Sequence, residues 1–191
     1  SNQFVGNWPG VTVERKTGHL KSDKNIQFVD LPGIYSLSPY SSEEVISRNY
    51  LVDGHPDVII DIVDASNLER NLYLTTQLME FGVPVVVALN QMDIVKKRGY
   101  TIKSKELSEQ LQVPVVEISA LKGDGLEDLV ATAVKAAREG IVPQPVRFTP
   151  ELESALTKIE DKLPSAMPGN MRRYYAIKLL SLIHISEPTR H

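Results

Sequence analysis

The sequence has no cysteine among its 191 residues. This absence excludes a disulfide framework and metal sites built on thiolates, and it suits a reducing cytosol. No apolar run approaches the roughly 20 residues needed to span a bilayer, and no signal peptide opens the chain. A formal net charge of −3 gives no electrostatic case for nucleic acid or an anionic membrane surface as a partner.

Two phosphate-binding motifs are also absent. None of the 11 glycines is followed by lysine, so the chain contains no Gly-x-x-x-x-Gly-Lys-Ser/Thr loop. Gly-x-Gly-x-x-Gly is missing too, which excludes the dinucleotide-binding fingerprint. The chain begins without methionine, and we expect it to be an internal piece of a longer protein.

Short β-branched runs alternate with helix signals along most of the chain. Buried strands are predicted at 58–63, 83–89 and 115–118, where the sequence shows little polar alternation. An earlier hairpin is predicted from residues 11–19 and 26–29. This order predicts an α/β fold in which a mostly parallel sheet lies between two layers of helices.

Capping boxes at Ser41–Glu44 and Ser66–Glu69 predict the starts of two helices. A third helix is expected near 104–111, and a fourth carries an apolar stripe that ends at Gly140. Two amphipathic helices are expected after the proline-rich segment that follows.

Two polar tetrads follow strand-like runs. Asn90-Gln91-Met92-Asp93 follows the apolar run at 83–89, and Asp30-Leu31-Pro32-Gly33 follows the strand at 26–29. Open α/β sheets bind nucleotides at the carboxyl ends of their strands. The tetrads resemble two motifs of the GTPase superfamily, one that reads the base and one that lies near magnesium and the γ-phosphate.

Asp93 is the candidate base reader, because its carboxylate would accept hydrogen bonds from the N1–H and the exocyclic amine of guanine. A site built for these donors rejects an analogue that lacks them by roughly 10⁴-fold or more. Asn90 would brace the loop. Gln91 would cover the base where many GTPases carry lysine, so we expect weaker nucleotide binding. Backbone N–H groups of Ser119-Ala120-Leu121 would bind the guanine O6, and the plainer alternative is a Ser/Gly loop that leads into a helix.

Asp30, Gly33 and Thr12 are the candidates for the phosphate end of a nucleotide. Phosphoryl transfer requires oxygen ligands for Mg²⁺ and an N–H near the γ-phosphate. Gly10 lies in the same segment as Thr12 and is grouped with it. Taken alone, Asp30 and Gly33 form a common turn composition, and Thr12 is typical of a strand start. Ile34 stands where Ras-like proteins carry the glutamine that orients water, which predicts slow intrinsic hydrolysis.

Asp61 and Asp64 form a further acidic pair in the sequence. Strand alternation puts them on opposite faces, so they are not expected to share a site. Asp64 is expected to start a turn instead.

Three longer stretches add to the tetrads, and the first two of them are far more specific than the tetrads. They are Val5-Gly6-Asn7-Trp8-Pro9-Gly10-Val11-Thr12-Val13-Glu14, Asp30 to Glu44, and Asp64 to Leu74. Together they resemble the N-terminal GTPase domain of the ferrous iron transport protein B family, over roughly residues 1–180. The resemblance implies a three-layer, Ras-like domain of the P-loop GTPase type.

The resemblance also implies ligands and a reaction. It implies GTP and GDP binding, GTP hydrolysis coupled to Fe²⁺ uptake, and Mg²⁺ held through Thr12 and Asp30. It implies K⁺ held by backbone carbonyls near Gly6 and Trp8. Trp8, the only tryptophan, either anchors its loop or reports a nucleotide-dependent switch, and the sequence leaves both open. Without a phosphate-binding loop, this chain alone is expected to bind GTP poorly and hydrolyse it hardly at all.

In that family a helical spacer and a membrane permease domain follow the GTPase domain. The resemblance therefore implies an inner-membrane protein with this domain on the cytoplasmic side, and an oligomer is left open. We divide the chain into a GTPase domain at 1–142 without its first strand, a proline-rich linker at 143–150, the start of the spacer at 151–180, and a non-native tail at 181–191 that continues no helical pattern.

Two other functions compete with this interpretation. A ribosome- or RNA-associated GTPase of similar architecture usually carries a basic domain, whereas this chain is net acidic. A catalytically silent guanine-binding module gains weight only if the complete protein also lacks the phosphate-binding loop.

Overall fold

The structure is a computed structural model that describes residues 3–8, 14–37, 41–167 and 169–186. The chain forms two compact units, Ser1–His55 and Pro56–His191. Each unit has its own sheet.

The first unit contains an antiparallel sheet and one helix. Its elements are β1 (Gln3–Asn7), β2 (Glu14–His19), β3 (Gln27–Asp30) and α1 (Ser42–Asp53), and the strands are ordered β1-β2-β3. The predicted hairpin corresponds to β2 and β3, whereas β1 was not predicted. The predicted capping box is confirmed, because the Ser41 side chain accepts from the Glu44 N–H and the Glu44 carboxylate accepts from the Ser41 N–H.

The second unit contains a parallel sheet with strand order β4-β5-β6. Its strands are β4 (Ile59–Asp64), β5 (Val85–Asn90) and β6 (Val115–Glu117), and its first helices are α2 (Leu68–Met79), α3 (Met92–Lys97), α4 (Ser104–Leu111) and α5 (Leu126–Glu139). The predicted α/β class with a parallel sheet is confirmed. The short helix α3 was not predicted.

Helices cover both faces of this sheet. Val86 and Ala88 of β5 pack in one core cluster with Leu129 of α5. Asp61 of β4 lies beside Val87 in the parallel register, and neighbouring residues of a register pair share a face. The Thr75 hydroxyl of α2 donates to the Asp61 carboxylate, so α2 lies on the face opposite α5.

Two predictions about β4 and α2 are wrong. The box at Ser66–Glu69 does not form, because the Asp64 carboxylate accepts from the Ser66 N–H at 2.8 Å and starts a 3₁₀ turn two residues earlier. The helix itself then begins at Leu68 without a side-chain cap. The strand at 58–63 is not buried on both faces either, since Ile62 is 63% exposed.

A helical pair, α6 (Pro150–Glu160) and α7 (Gly169–Ser186), belongs to the second unit. Arg173 of α7 joins it to the end of α2, with its Nε 2.9 Å from a Glu80 oxygen and its guanidinium hydrogen-bonded to Glu153 of α6. The Tyr174 ring packs on Phe81 with centroids 4.5 Å apart. The predicted boundaries at 142 and 150 stay predictions.

The prediction that the helical pattern stops before Ser181 is wrong, because α7 continues to Ser186. Residues 187–191 lie outside the described part of the chain. The expectation that residues 181–191 are a non-native tail stays a prediction. Among the described residues, no helix combines the length and the apolar character that crossing a bilayer demands.

Candidate functional site

The candidate base site begins where the buried strand β5 ends. Asn90 is the last residue of β5, and its Oδ1 accepts from the Gln91 N–H at 2.9 Å and from the Ala120 N–H at 3.0 Å. One side chain therefore ties the strand end to a second loop at 119–125. These are the hydrogen bonds expected of a residue that braces the loop.

Gln91 adopts the left-handed conformation with φ of 65°. A residue with a side chain pays a cost of order 1 kcal/mol or more for that backbone, which surrounding contacts must hold. Here the Met92 N–H bonds the Ile118 carbonyl at 3.4 Å on the far side of the turn. The turn lets α3 start directly, so Asp93 lies in its first turn.

The Asp93 carboxylate is 16% exposed and faces the 119–125 loop. Its Oδ1 accepts from the Ser119 hydroxyl at 3.2 Å, and its Oδ2 lies 3.6 Å from the Lys122 ammonium. Desolvation opposes ionisation, but the Ser119 hydroxyl, the Lys122 charge and the backbone N–H groups of Asp93 and Ile94 outweigh it and lower the pKa of Asp93. An ionised carboxylate only accepts hydrogen bonds, which suits it to a pair of N–H donors.

The 119–125 loop is a tight backbone turn. The N–H groups of Lys122 and Gly123 both donate to the Ser119 carbonyl, at 3.1 and 2.8 Å, and the Ser119 N–H donates to the Asp124 carbonyl at 3.0 Å. Ser119 is buried, whereas Leu121 is 93% exposed. The loop therefore has a hydrogen-bonded backbone and presents the Leu121 side chain to solvent.

Gly125→Ala is expected to lower the free energy of unfolding by about 2 kcal/mol. Gly125 has φ of +74°, and an added Cβ would lie 2.2 Å from the Glu117 carbonyl oxygen. Urea unfolding of this 191-residue chain measures the loss. Gly123→Ala is the matched control, since Gly123 has φ of +80° with no atom within 4 Å of its Cβ, and only about 1 kcal/mol is expected. Equal losses in the two variants would contradict the clash.

The residues predicted to bind the phosphate end of a nucleotide belong to the first unit. Asp30 ends β3 with an exposed side chain to which no described residue donates a hydrogen bond, and Gly33 lies exposed in the following loop. Such a carboxylate has the hard oxygen ligand that Mg²⁺ prefers and room for the waters that the ion retains. Thr12 and Gly10 lie outside the described residues. In the described ranges no group of three metal-ligating side chains assembles.

Trp8 is an anchor in this structure. Its side chain is buried, its ring meets the Tyr50 ring edge-on at 5.4 Å, and the Arg15 guanidinium lies 5.0 Å from its centre. Gly6 lies within β1. The K⁺ contacts predicted for Gly6 and Trp8 stay a prediction, and a guanidinium beside Trp8 disfavours a second cation at that side chain.

Sequence reasoning missed Lys122 and the pair Asp61–Thr75. Lys122 directly follows the predicted Ser119-Ala120-Leu121 segment, but it is distant from Asp93 in the sequence, so no local pattern indicated their contact. Asp61 is buried on β4, with the Thr75 hydroxyl 2.6 Å away, and burial raises its pKa to about 6. No sequence spacing indicates that Thr75 of α2 is the hydrogen-bond partner of Asp61.

Comparison with known proteins gives a consistent set of similarities. Residues 1–133 match the family described as ferrous iron transport protein B. The chain is 41% identical over 186 residues to the Fe(2+) transporter FeoB of Escherichia coli, and the match covers 94% of this chain and 24% of that protein. The chain thus spans about a quarter of the length of the curated relatives it matches.

Two solved structures extend the similarity. A mutant of S. thermophilus NFeoB bound to GDP is 45% identical with a TM-score of 0.88, and the match covers 98% of this chain and 75% of that one. The mGMPPNP-bound NFeoB of S. thermophilus is 45% identical with a TM-score of 0.83, covering 100% and 73% of the two chains.

Proposed function

The chain belongs to the ferrous iron transport protein B family, and from this premise we propose that it is the guanine-nucleotide-binding GTPase domain of a bacterial Fe²⁺ transporter. In the full chain, meaning the full-length transporter, GTP binding and hydrolysis are coupled to iron uptake across the membrane. The names of the relatives support the transporter, and the nucleotides bound to the solved relatives support the ligand.

The Asp93 carboxylate carries the proposal. It is ionised, largely buried and pointed at the 119–125 loop, and Asn90 fixes that loop to the end of β5. A guanine base fits this chemistry, because its N1–H and 2-amino group are the paired donors that a carboxylate accepts. Adenine lacks this pair and leaves the carboxylate without partners, which is costly for a buried charge. Gln91 and the backbone of Ser119, Ala120 and Leu121 complete the base site.

Asp30, Gly33, Thr12 and Gly10 serve the phosphate end of the nucleotide in this proposal. Mg²⁺, held through Asp30 and the Thr12 hydroxyl, would neutralise charge on the phosphates during transfer, and K⁺ at the backbone of Gly6 and Trp8 would assist. Asp30 acts here by holding the hydrated ion, and the Gly33 N–H binds the terminal phosphate. Ile34 offers no group to orient water, so hydrolysis is slow.

The permease domain of the same full chain is the proposed partner, with this domain on the cytoplasmic side of the inner membrane. The helical pair α6–α7 is the start of the spacer towards it. Among the described strands β4 pairs only with β5, so the other edge of β4 has backbone groups that a further strand in the full chain would pair with.

The full chain is expected to bind GDP and GTP and to ignore ADP and ATP. The reason is the pair of acceptors on Asp93, which discriminates by roughly 10⁴-fold. A fluorescent GDP analogue bound to the full chain, displaced by each of the four nucleotides in the presence of Mg²⁺, measures the preference. Displacement by ADP at a concentration similar to that of GDP would reject the proposed function.

A further inference from the structure

Both oxygens of the Asp93 carboxylate face a partner within the protein. The Ser119 hydroxyl donates to Oδ1 at 3.2 Å, and the Lys122 ammonium lies 3.6 Å from Oδ2. The two partners come from one short loop, and they differ in charge and in freedom. Ser119 is buried, whereas the Lys122 side chain is 50% exposed.

We propose that Lys122 is a latch that covers Asp93 Oδ2 while no guanine is bound and withdraws when the base enters. Each carboxylate oxygen can accept two hydrogen bonds, so Oδ1 keeps the Ser119 hydroxyl, whereas the guanine donor at Oδ2 competes with the ammonium for the same negative charge. Lys122 therefore competes with guanine and lowers the affinity of the site. This inference rests on the proposed function, because it takes Asp93 as the base reader.

The carboxylate needs such a cation whenever no base bonds it. A carboxylate that is mostly withdrawn from water loses hydration and becomes costly unless a charge or hydrogen bonds replace it. Ser119 supplies one hydroxyl, and the neighbouring Gln91 is uncharged. Lys122 supplies the missing positive charge from the adjacent loop, which makes the nucleotide-free protein more stable than it would be with an open carboxylate.

The latch is able to open without disturbing the loop. The backbone at Lys122 is fixed, because its N–H and that of Gly123 both donate to the Ser119 carbonyl. The ammonium, in contrast, sits at the end of a flexible four-carbon stem and is half in solvent. Only side-chain rotation is required to release Oδ2.

The size and salt dependence of the effect follow from the exposure of Lys122. Half-exposed ion pairs contribute modestly, so removal of the ammonium should strengthen GDP binding by about two- to fivefold. Salt screens such a pair. The difference between the wild type and a variant without the ammonium should therefore shrink as NaCl rises.

Lys122→Met tests the latch, since methionine keeps an unbranched stem and removes the charge. Fluorescent GDP binding is measured on the full chain at low and high NaCl, alongside Lys122→Arg, which keeps a cation. Lys135→Met is the matched control, because Lys135 forms a similar exposed ion pair with Glu139 at 3.7 Å on α5. We expect tighter GDP binding only in Lys122→Met, and only at low salt.

Three results would overturn the latch: unchanged GDP affinity in Lys122→Met, weaker GDP binding in Lys122→Met, or the same gain in Lys135→Met. Each leaves the proposed function standing if the wild type still prefers GDP to ADP. Loss of that preference in the wild type would instead reject the proposed function itself, so the two failures are distinguishable.

Discussion

Asp93→Asn in the full chain is expected to replace the preference for guanine with a preference for xanthine. An asparagine side chain presents one acceptor and one N–H donor where the aspartate presents two acceptors. The 2-amino group of guanine then faces another donor, whereas the 2-oxo group of xanthine accepts from it. We expect GDP affinity to fall by about 10³-fold or more and XDP to become the tighter ligand. Displacement of a fluorescent nucleotide by GDP and XDP measures the exchange.

The outcome separates base reading from folding. Tight XDP binding by the variant is itself proof that the site is folded, so a loss of GDP binding cannot be attributed to unfolding. Asp128→Asn is the matched control, because Asp128 is an exposed carboxylate in the first turn of α5. A variant at position 93 that kept its GDP preference would reject Asp93 as the reader, whatever nucleotide the protein bound.

The elements that local chemistry determines were predictable from the sequence. The capping box at Ser41–Glu44 is written in four consecutive residues, and the apolar stripe of α5 ends at Gly140 in the left-handed conformation. The Ser66–Glu69 box failed for a physical reason. Asp64 ends β4 and its ionised carboxylate is a stronger acceptor than a serine hydroxyl, so it takes the Ser66 N–H first.

The site was predictable only in part, because its contacts join distant segments. The tetrad at 90–93 marked the base loop, and the brace from Asn90 to Ala120 spans 30 positions that no local pattern connects. The helix α3 was not predicted, because six residues are too few to show a helical period in the sequence. The αL conformation of Gln91, from which α3 starts, has no sequence signal either. Lys122 is close to Asp93 only through the fold, so no sequence pattern predicts its place at the site.

The buried carboxyl of Asp61 makes the stability of the second unit depend on pH. Burial raises its pKa from 3.8 to about 6, although the Thr75 hydroxyl bonds the charged form. Below pH 3.8 the group is protonated in both the folded and the unfolded chain and imposes no cost. As the pH rises from there to about 6, the unfolded chain loses its proton first, so stability falls. Above this window the cost is constant at about 3 kcal/mol.

Asp61→Asn is therefore expected to raise the free energy of unfolding at about pH 7.5 by about 2 kcal/mol, somewhat less than the full cost because the new amide N–H₂ lacks a described acceptor. Near pH 4 the gain should vanish. Urea unfolding of this 191-residue chain at both pH values measures the gain in stability. Asp64→Asn is the control of opposite sign: the hydrogen bonds from Ser66 and Asn67 outweigh desolvation and lower the pKa of Asp64, so its replacement should cost stability at neutral pH and less in acid. A gain in Asp61→Asn that was equal at both pH values would mean that the ionised carboxylate is not the source of the lost stability. Packing against Thr75 would then decide the stability instead.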